Sequence, residues 1–276
     1  IIDTPVSEMA CTSAGIGASL CGMKSIVVHP RMDFMMYAMD SIVNQAAKWS
    51  HMTGGELKPS VTIRGIINRG GEQGAQHSQA LHATFAHIPG LRVVMPYRVS
   101  DARDLFISSV LSPDPVIFID DRWLYDNEED VSPIKKTNLN RQKPKLIKKG
   151  QDITIVSCGY STHLSIKASE ILEEKYNITC DIVDLRVISP LDTEAIISSV
   201  HKTGRLIIVD GGTKSFGISG EVLFSVCEKL SFNKLKSQPQ RVTLPDAPAP
   251  TARLLEQEYY FDENKIVELI LNIFNK

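Results

Sequence analysis

The sequence predicts an α/β protein of two domains in series, each a mostly parallel β-sheet covered by helices on both faces. Three observations predict it. Strand-like apolar runs alternate with helical patterns along most of the chain. A charged, proline-bearing stretch near the middle interrupts the alternation, which then restarts. The length, 276 residues with 43% hydrophobic and 22% charged, suits one large domain or two ordinary ones with full cores.

The elements follow in order. IIDT reads as the end of a strand, and Ser7 and Glu8 mark a passage into helix. The start is abrupt, so an N-terminal leader is expected to be missing. The run EMACTSAGIGASLCGM (8–23) is rich in small residues, which suits a helix packed closely on other backbone despite the helix cost of glycine. SIVV reads as a buried strand. Residues 36–49 place Met39, Ile42, Val43, Ala46 and Ala47 at helical spacing. VTIRGII (61–67) is a strand, and NRGGEQGAQ (68–76) is a glycine-rich loop before His77. RVVMP and PVIFID are further strands, with a helix near 101–111 between them. Residues 126–150 are charged, hold Pro133 and Pro144 and lack periodicity. The expected division is 1–130 for the first domain, 131–150 for a linker and 151–276 for the second domain. There DITIVSCG, ITCDIVDL, RLIIVDGG and RVTL read as strands. Helices are expected from Ser161, a plausible cap, and over LDTEAIISSV, GISGEVLFSVCEKL and KIVELILNIF.

Composition narrows the function. A formal charge of -2 gives no global attraction to nucleic acid or anionic membrane. No apolar run reaches spanning length, and the N-terminus has no secretory pattern, so neither membrane insertion nor secretion is expected. The five cysteines are scattered without a CxxC pair, which suits free thiols in a reducing compartment. GIGASL (15–20) lacks the third glycine of a dinucleotide fingerprint and reads as close helix packing, which disfavours a nicotinamide oxidoreductase. His82 and His87, five residues apart, do not share a helix face and read as structural; no metal site is expected on this chain.

Specific motifs go further. DTPVSE (3–8), NQAAKW with HMTGG (44–55), GAQHSQ (74–79), PGLRVVMP (89–96), DPV (114–116), VDGGTKSFGISGE (209–221) and APAPTARLLE (247–256) occur in that order. Together they resemble the β subunit of the thiamine diphosphate-dependent decarboxylating component of 2-oxo acid dehydrogenases of the pyruvate, branched-chain and acetoin type. The resemblance spans essentially the whole chain. It implies a transketolase-like pyrimidine-binding domain followed by a C-terminal α/β domain. It also implies an α2β2 assembly with an α-type subunit, and acyl transfer from a 2-oxo acid to a lipoyl acyltransferase. The GDG signature that holds magnesium and diphosphate in thiamine enzymes is not found, so thiamine diphosphate would be shared with the α subunit, which would hold the Mg. The compartment implied is the cytoplasm in a bacterium, or the mitochondrial matrix or plastid in a eukaryote.

The resemblance assigns three residues. Glu8 matches the glutamate that touches N1′ of the aminopyrimidine, where a carboxylate stabilises a ring proton and so supports proton removal from C2 of the thiazolium. On residue statistics alone it would be a helix-start acid interacting with the dipole. His77 matches the histidine beside the reacting carbon, where imidazole can exchange protons near neutral pH. Its plainer alternative is a hydrogen-bonded loop histidine. Phe34, six residues before Asp40, matches the aromatic that stacks on the aminopyrimidine; otherwise it is a core phenylalanine. Arg64 is expected in a structural salt bridge. One segment departs from the family: VHPRMDF (28–34) stands where pyruvate-type subunits carry an acidic–aromatic run such as EFMTFNF. Arg31 there would read a second carboxylate or a phosphate, or pair with an acid at a subunit contact. Two other readings remain: the C-terminal part of a transketolase or deoxyxylulose-phosphate synthase, and a non-catalytic assembly module. The GAQHSQ and NQAAKW–HMTGG segments count against the first, and retention of Glu8, Phe34 and His77 against the second.

Overall fold

The computed structural model describes residues 1–134 and 138–274. Among them the strands are, in chain order, β1 Ser25–His29, β2 Val61–Ile67, β3 Arg92–Val94, β4 Val116–Asp121, β5 Lys145–Lys148, β6 Ile153–Ser157, β7 Cys180–Asp184, β8 Val187–Ser189, β9 Leu206–Thr213 and β10 Gln240–Leu244. The α-helices are α1 Glu8–Leu20, α2 Trp49–Met52, α3 His82–Ala86, α4 Val99–Val110, α5 Tyr160–Tyr176, α6 Glu194–Thr203, α7 Ile218–Lys229, α8 Arg253–Tyr259 and α9 Glu263–Phe274.

The chain divides into two compact units. One holds residues 1–69, 76–142 and 187–190, and the other holds 70–75, 143–186 and 191–276. The expected division meets two exceptions: part of the glycine loop groups with the second unit, and β8 groups with the first. Strand β8 pairs antiparallel with β3, so residues 187–190, downstream of the expected linker, belong to the first unit. The linker is also partly structured. Leu139 is buried in the first unit's core, and Lys145–Lys148 forms an antiparallel edge strand on β7 in the second.

In the first unit the sheet order is β1-β2-β4-β3-β8, parallel except for β8. Strand β2 is buried at six of its seven positions, which a continuous apolar run in a central parallel strand requires. The segment SIVV, expected to be buried, is instead the edge strand β1, with Ile26 and Val28 exposed and His29 buried. Helix α1 lies close on β1: a Cβ on Gly15 would come within 2.4 Å of Val27 Cγ2. The small residues of α1 thus permit a near approach, as their composition predicts. The helical spacing over 36–49 is realised differently. Met32–Ala38 is a 3₁₀ helix, Asp40–Ala46 a π-helix and Trp49–Met52 a single α-turn. Ile42, Ala46 and Ala47 are buried as the spacing requires.

In the second unit the order is β10-β9-β6-β7-β5, parallel except for β5. Alternation along β6 sends Ile153 and Ile155 to the cluster shared with α5 and α9. Thr154 turns the other way, and its hydroxyl pairs with Ser199 and Thr203 of α6 at 2.7 and 2.8 Å. Both faces are therefore covered. Ser161 does not cap α5; the helix starts after Gly159, whose φ of 53° makes the sharp entry turn.

Candidate active site

Glu8 opens α1 and is part-buried, in the first turn where the helix dipole favours a negative charge. One turn along the same face stands Thr12, fully buried. Its Oγ1 lies 3.1 Å from Nε2 of His29, the last residue of β1. Burial pulls the His29 pKa below the ordinary 6.5, and the negative charge of Glu8 acts in the opposite sense.

Phe34 sits in the 3₁₀ segment Met32–Ala38, part-buried, with the exposed Tyr37 ring stacked 6.3 Å away. His77 reaches the same place from the loop before α3. The two rings meet edge to face, with centroids 5.3 Å apart and planes at 88°. The structure therefore joins Phe34 to His77 directly, while Glu8 stands one turn before Thr12 on α1 and acts on His29 through its charge. Beneath the 3₁₀ segment Gly65 leaves room for Met35: a Cβ there would stand 2.5 Å from its sulfur.

Arg64 is in the structural role expected of it. It forms a salt bridge with Asp120 on β4, whose Oδ2 also accepts the Tyr125 hydroxyl at 3.0 Å. Burial, with the Asp120 charge next to it, pushes the Tyr125 hydroxyl up to about 12. Arg69, at the head of the glycine loop, pairs with the buried Asp121 at 2.6 Å. Within the second unit, residues 70–75 are held by Glu256, whose carboxylate accepts the Glu72 N–H at 3.2 and 3.1 Å. Gly74 there, at φ 70°, faces Thr251 so closely that a Cβ would lie 2.6 Å from its hydroxyl. His82 is fully buried at the start of α3.

Sequence reasoning marked His29 only as part of the departing segment and missed its pairing with Thr12, as well as Asp33 and Glu256. The departing segment VHPRMDF, which drew attention to His29, was a usable signal for Asp33 too, because it places an aspartate next to apolar residues. Glu256 ends the APAPTARLLE segment, but nothing local shows that it reaches back to residue 72.

Comparison with known proteins defines the class first. Residues 1–127 match the transketolase pyrimidine-binding domain, and residues 142–266 match the transketolase C-terminal domain. A solved chain described as a split-gene transketolase, an inactive beta4 tetramer, superposes with a TM-score of 0.80 over 99% of this chain and 83% of its own. At 19% identity that likeness speaks for the fold alone. Curated relatives are more specific. The mitochondrial pyruvate dehydrogenase E1 component subunit beta of Saccharomyces cerevisiae is 37% identical over all of this chain and 76% of its own length. The corresponding subunit of Rickettsia bellii is 36% identical over 99% of this chain and 83% of its own. Subunit beta of the acetoin:2,6-dichlorophenolindophenol oxidoreductase of Cupriavidus necator is 38% identical over 94% and 76%. The chain belongs to this family of pyruvate and acetoin dehydrogenase E1 β subunits within the transketolase-like fold.

Proposed function

We propose that this chain completes the active site of a thiamine diphosphate-dependent 2-oxo acid dehydrogenase. The observation that carries the reading is the edge contact between Phe34 and His77, in a chain that begins its first helix with Glu8 and is related end to end to E1 β subunits. These side chains suit the aminopyrimidine end of the cofactor. A part-exposed phenyl ring offers a flat face, a carboxylate offers a partner for a ring nitrogen, and an imidazole stands beside the aromatic face. They do not suit a diphosphate. The GDG signature of magnesium and diphosphate binding is not found in the sequence. The cation and the diphosphate are assigned to an α-type partner in an α2β2 assembly.

In this reading Glu8 holds a proton at N1′ of the aminopyrimidine and Phe34 orients the ring. His77 stabilises negative charge on the substrate side and moves a proton there, or assists acyl transfer to a lipoyl acyltransferase. The cofactor, when bound, supplies the electron sink for decarboxylation. The proposed substrate is a 2-oxo acid of the pyruvate kind. The compartment is the bacterial cytoplasm, the mitochondrial matrix or the plastid, and no helix among the described residues is long and apolar enough to cross a membrane.

Calorimetry tests the division of labour. The purified chain is expected to bind thiamine diphosphate weakly or not at all, and the mixture with an α-type subunit to bind it clearly and to decarboxylate one or more 2-oxo acids. Tight, magnesium-dependent binding by the chain alone would overturn the assignment of diphosphate and cation to the partner.

A further inference from the structure

Three consecutive residues of the 3₁₀ segment meet the loop that carries His77, in reverse order and at every second loop residue. Met32 Sδ accepts the Leu81 N–H at 3.3 Å. Asp33 Oδ1 accepts both the Gln79 backbone N–H and the Gln79 Nε2, each at 3.0 Å. Phe34 meets His77 edge to face. Residues 77–81 have no helix or strand of their own, so these contacts take the place of a backbone ladder. The middle contact is the strong one. Asp33 is only 4% exposed, and one of its oxygens accepts two N–H groups of the same residue. Its other oxygen, Oδ2, is buried without a hydrogen-bond partner among the described residues.

We propose that Asp33 is the positioning residue of the His77 loop: by holding both N–H groups of Gln79 on one oxygen, it fixes the imidazole edge-on to Phe34. Asp33 acts through Gln79 and touches no reacting atom. What the clamp does for catalysis rests on the reading of His77 given above, but the clamp itself is a property of the chain and is measurable without turnover.

The test uses the full chain with Asp33→Ala, Asp33→Asn and wild type, read by amide hydrogen exchange and by the ring-proton shifts of His77. Asparagine keeps an acceptor oxygen where Oδ1 stands; alanine removes it. In Asp33→Ala the Gln79 amide is expected to exchange about tenfold faster or more, while β2 and β4 amides keep their protection. The His77 ring protons, shifted by Phe34 in the wild type, should move toward the values of an exposed histidine. Asp33→Asn should retain most of both signals. Unchanged Gln79 exchange in Asp33→Ala overturns the proposal. So does an equal rise across β2 and β4, which would make Asp33 only a core residue, and so does an asparagine variant as deprotected as the alanine one. In the complex with an α-type subunit, full activity of His77→Ala would refute the role of His77 and leave the exchange result standing.

Discussion

His29 shows what a single residue adds at this site. It is buried, its Nε2 is paired with Thr12, and burial holds its pKa below 6.5. The folded protein therefore binds the proton less readily than the unfolded chain does. Stability from this group is intact above pH 6.5 and falls as the pH drops below that value. His163, also lowered chiefly by burial, adds a decline of the same sign. Urea melts of wild type and His29→Phe between pH 7.5 and 5 should show a shallower acid decline in the variant, with His163 still contributing to both. Equal slopes would mean that His29 takes up its proton freely in the folded state. Residue roles were only partly legible. Glu8, Phe34 and His77 are proposed because motif order supplies them, not because periodicity or composition singles them out. Asp33 and His29 were visible as polar residues in an apolar run, but their partners, Gln79 and Thr12, lie 46 and 17 positions away, and no local rule connects them.

At the scale of elements, the central strands were readable because β-branched apolar runs such as VTIRGII and RLIIVDGG are what a parallel sheet buried on both faces demands. The segment 36–49 was read as one helix and is built from 3₁₀, π and α turns, which bury Ile42, Ala46 and Ala47 as an α-helix would, so spacing does not separate them. Strand β8 is three residues long and β5 is half lysine; both gain their identity from pairing partners rather than from their own sequence. The 3₁₀ segment carries Phe34 and rests over Gly65, where a methyl group would overlap Met35. Gly65→Ala is therefore expected to cost about 1–3 kcal/mol of stability and to disturb the Phe34–His77 contact. A denaturant melt with the His77 ring-proton shifts checks both. A variant as stable as wild type with unchanged shifts would show that Met35 relocates freely.

At the scale of the whole molecule, the two units follow the two transketolase domains except at residues 70–75 and 187–190, and the relatives that cover most of the chain are β subunits. The central claim is that this chain supplies the proton-handling half of a shared active site, with Glu8 acting on the cofactor and His77 on the substrate. Thermal stability is not expected to distinguish the two roles, since neither side chain makes a core contact on which the sheets depend. Turnover alone does not distinguish them either, because both substitutions are expected to abolish it. The discriminating measurement is exchange of the C2 proton of thiamine diphosphate in the complex assembled with an α-type subunit, compared for wild type, Glu8→Gln and His77→Ala. Glutamine keeps the size of Glu8 and removes its charge, so exchange should slow by about 10²–10³, while His77→Ala exchanges near the wild-type rate and fails later in the reaction. Wild-type exchange in Glu8→Gln, or equal loss in both variants, would contradict the claim.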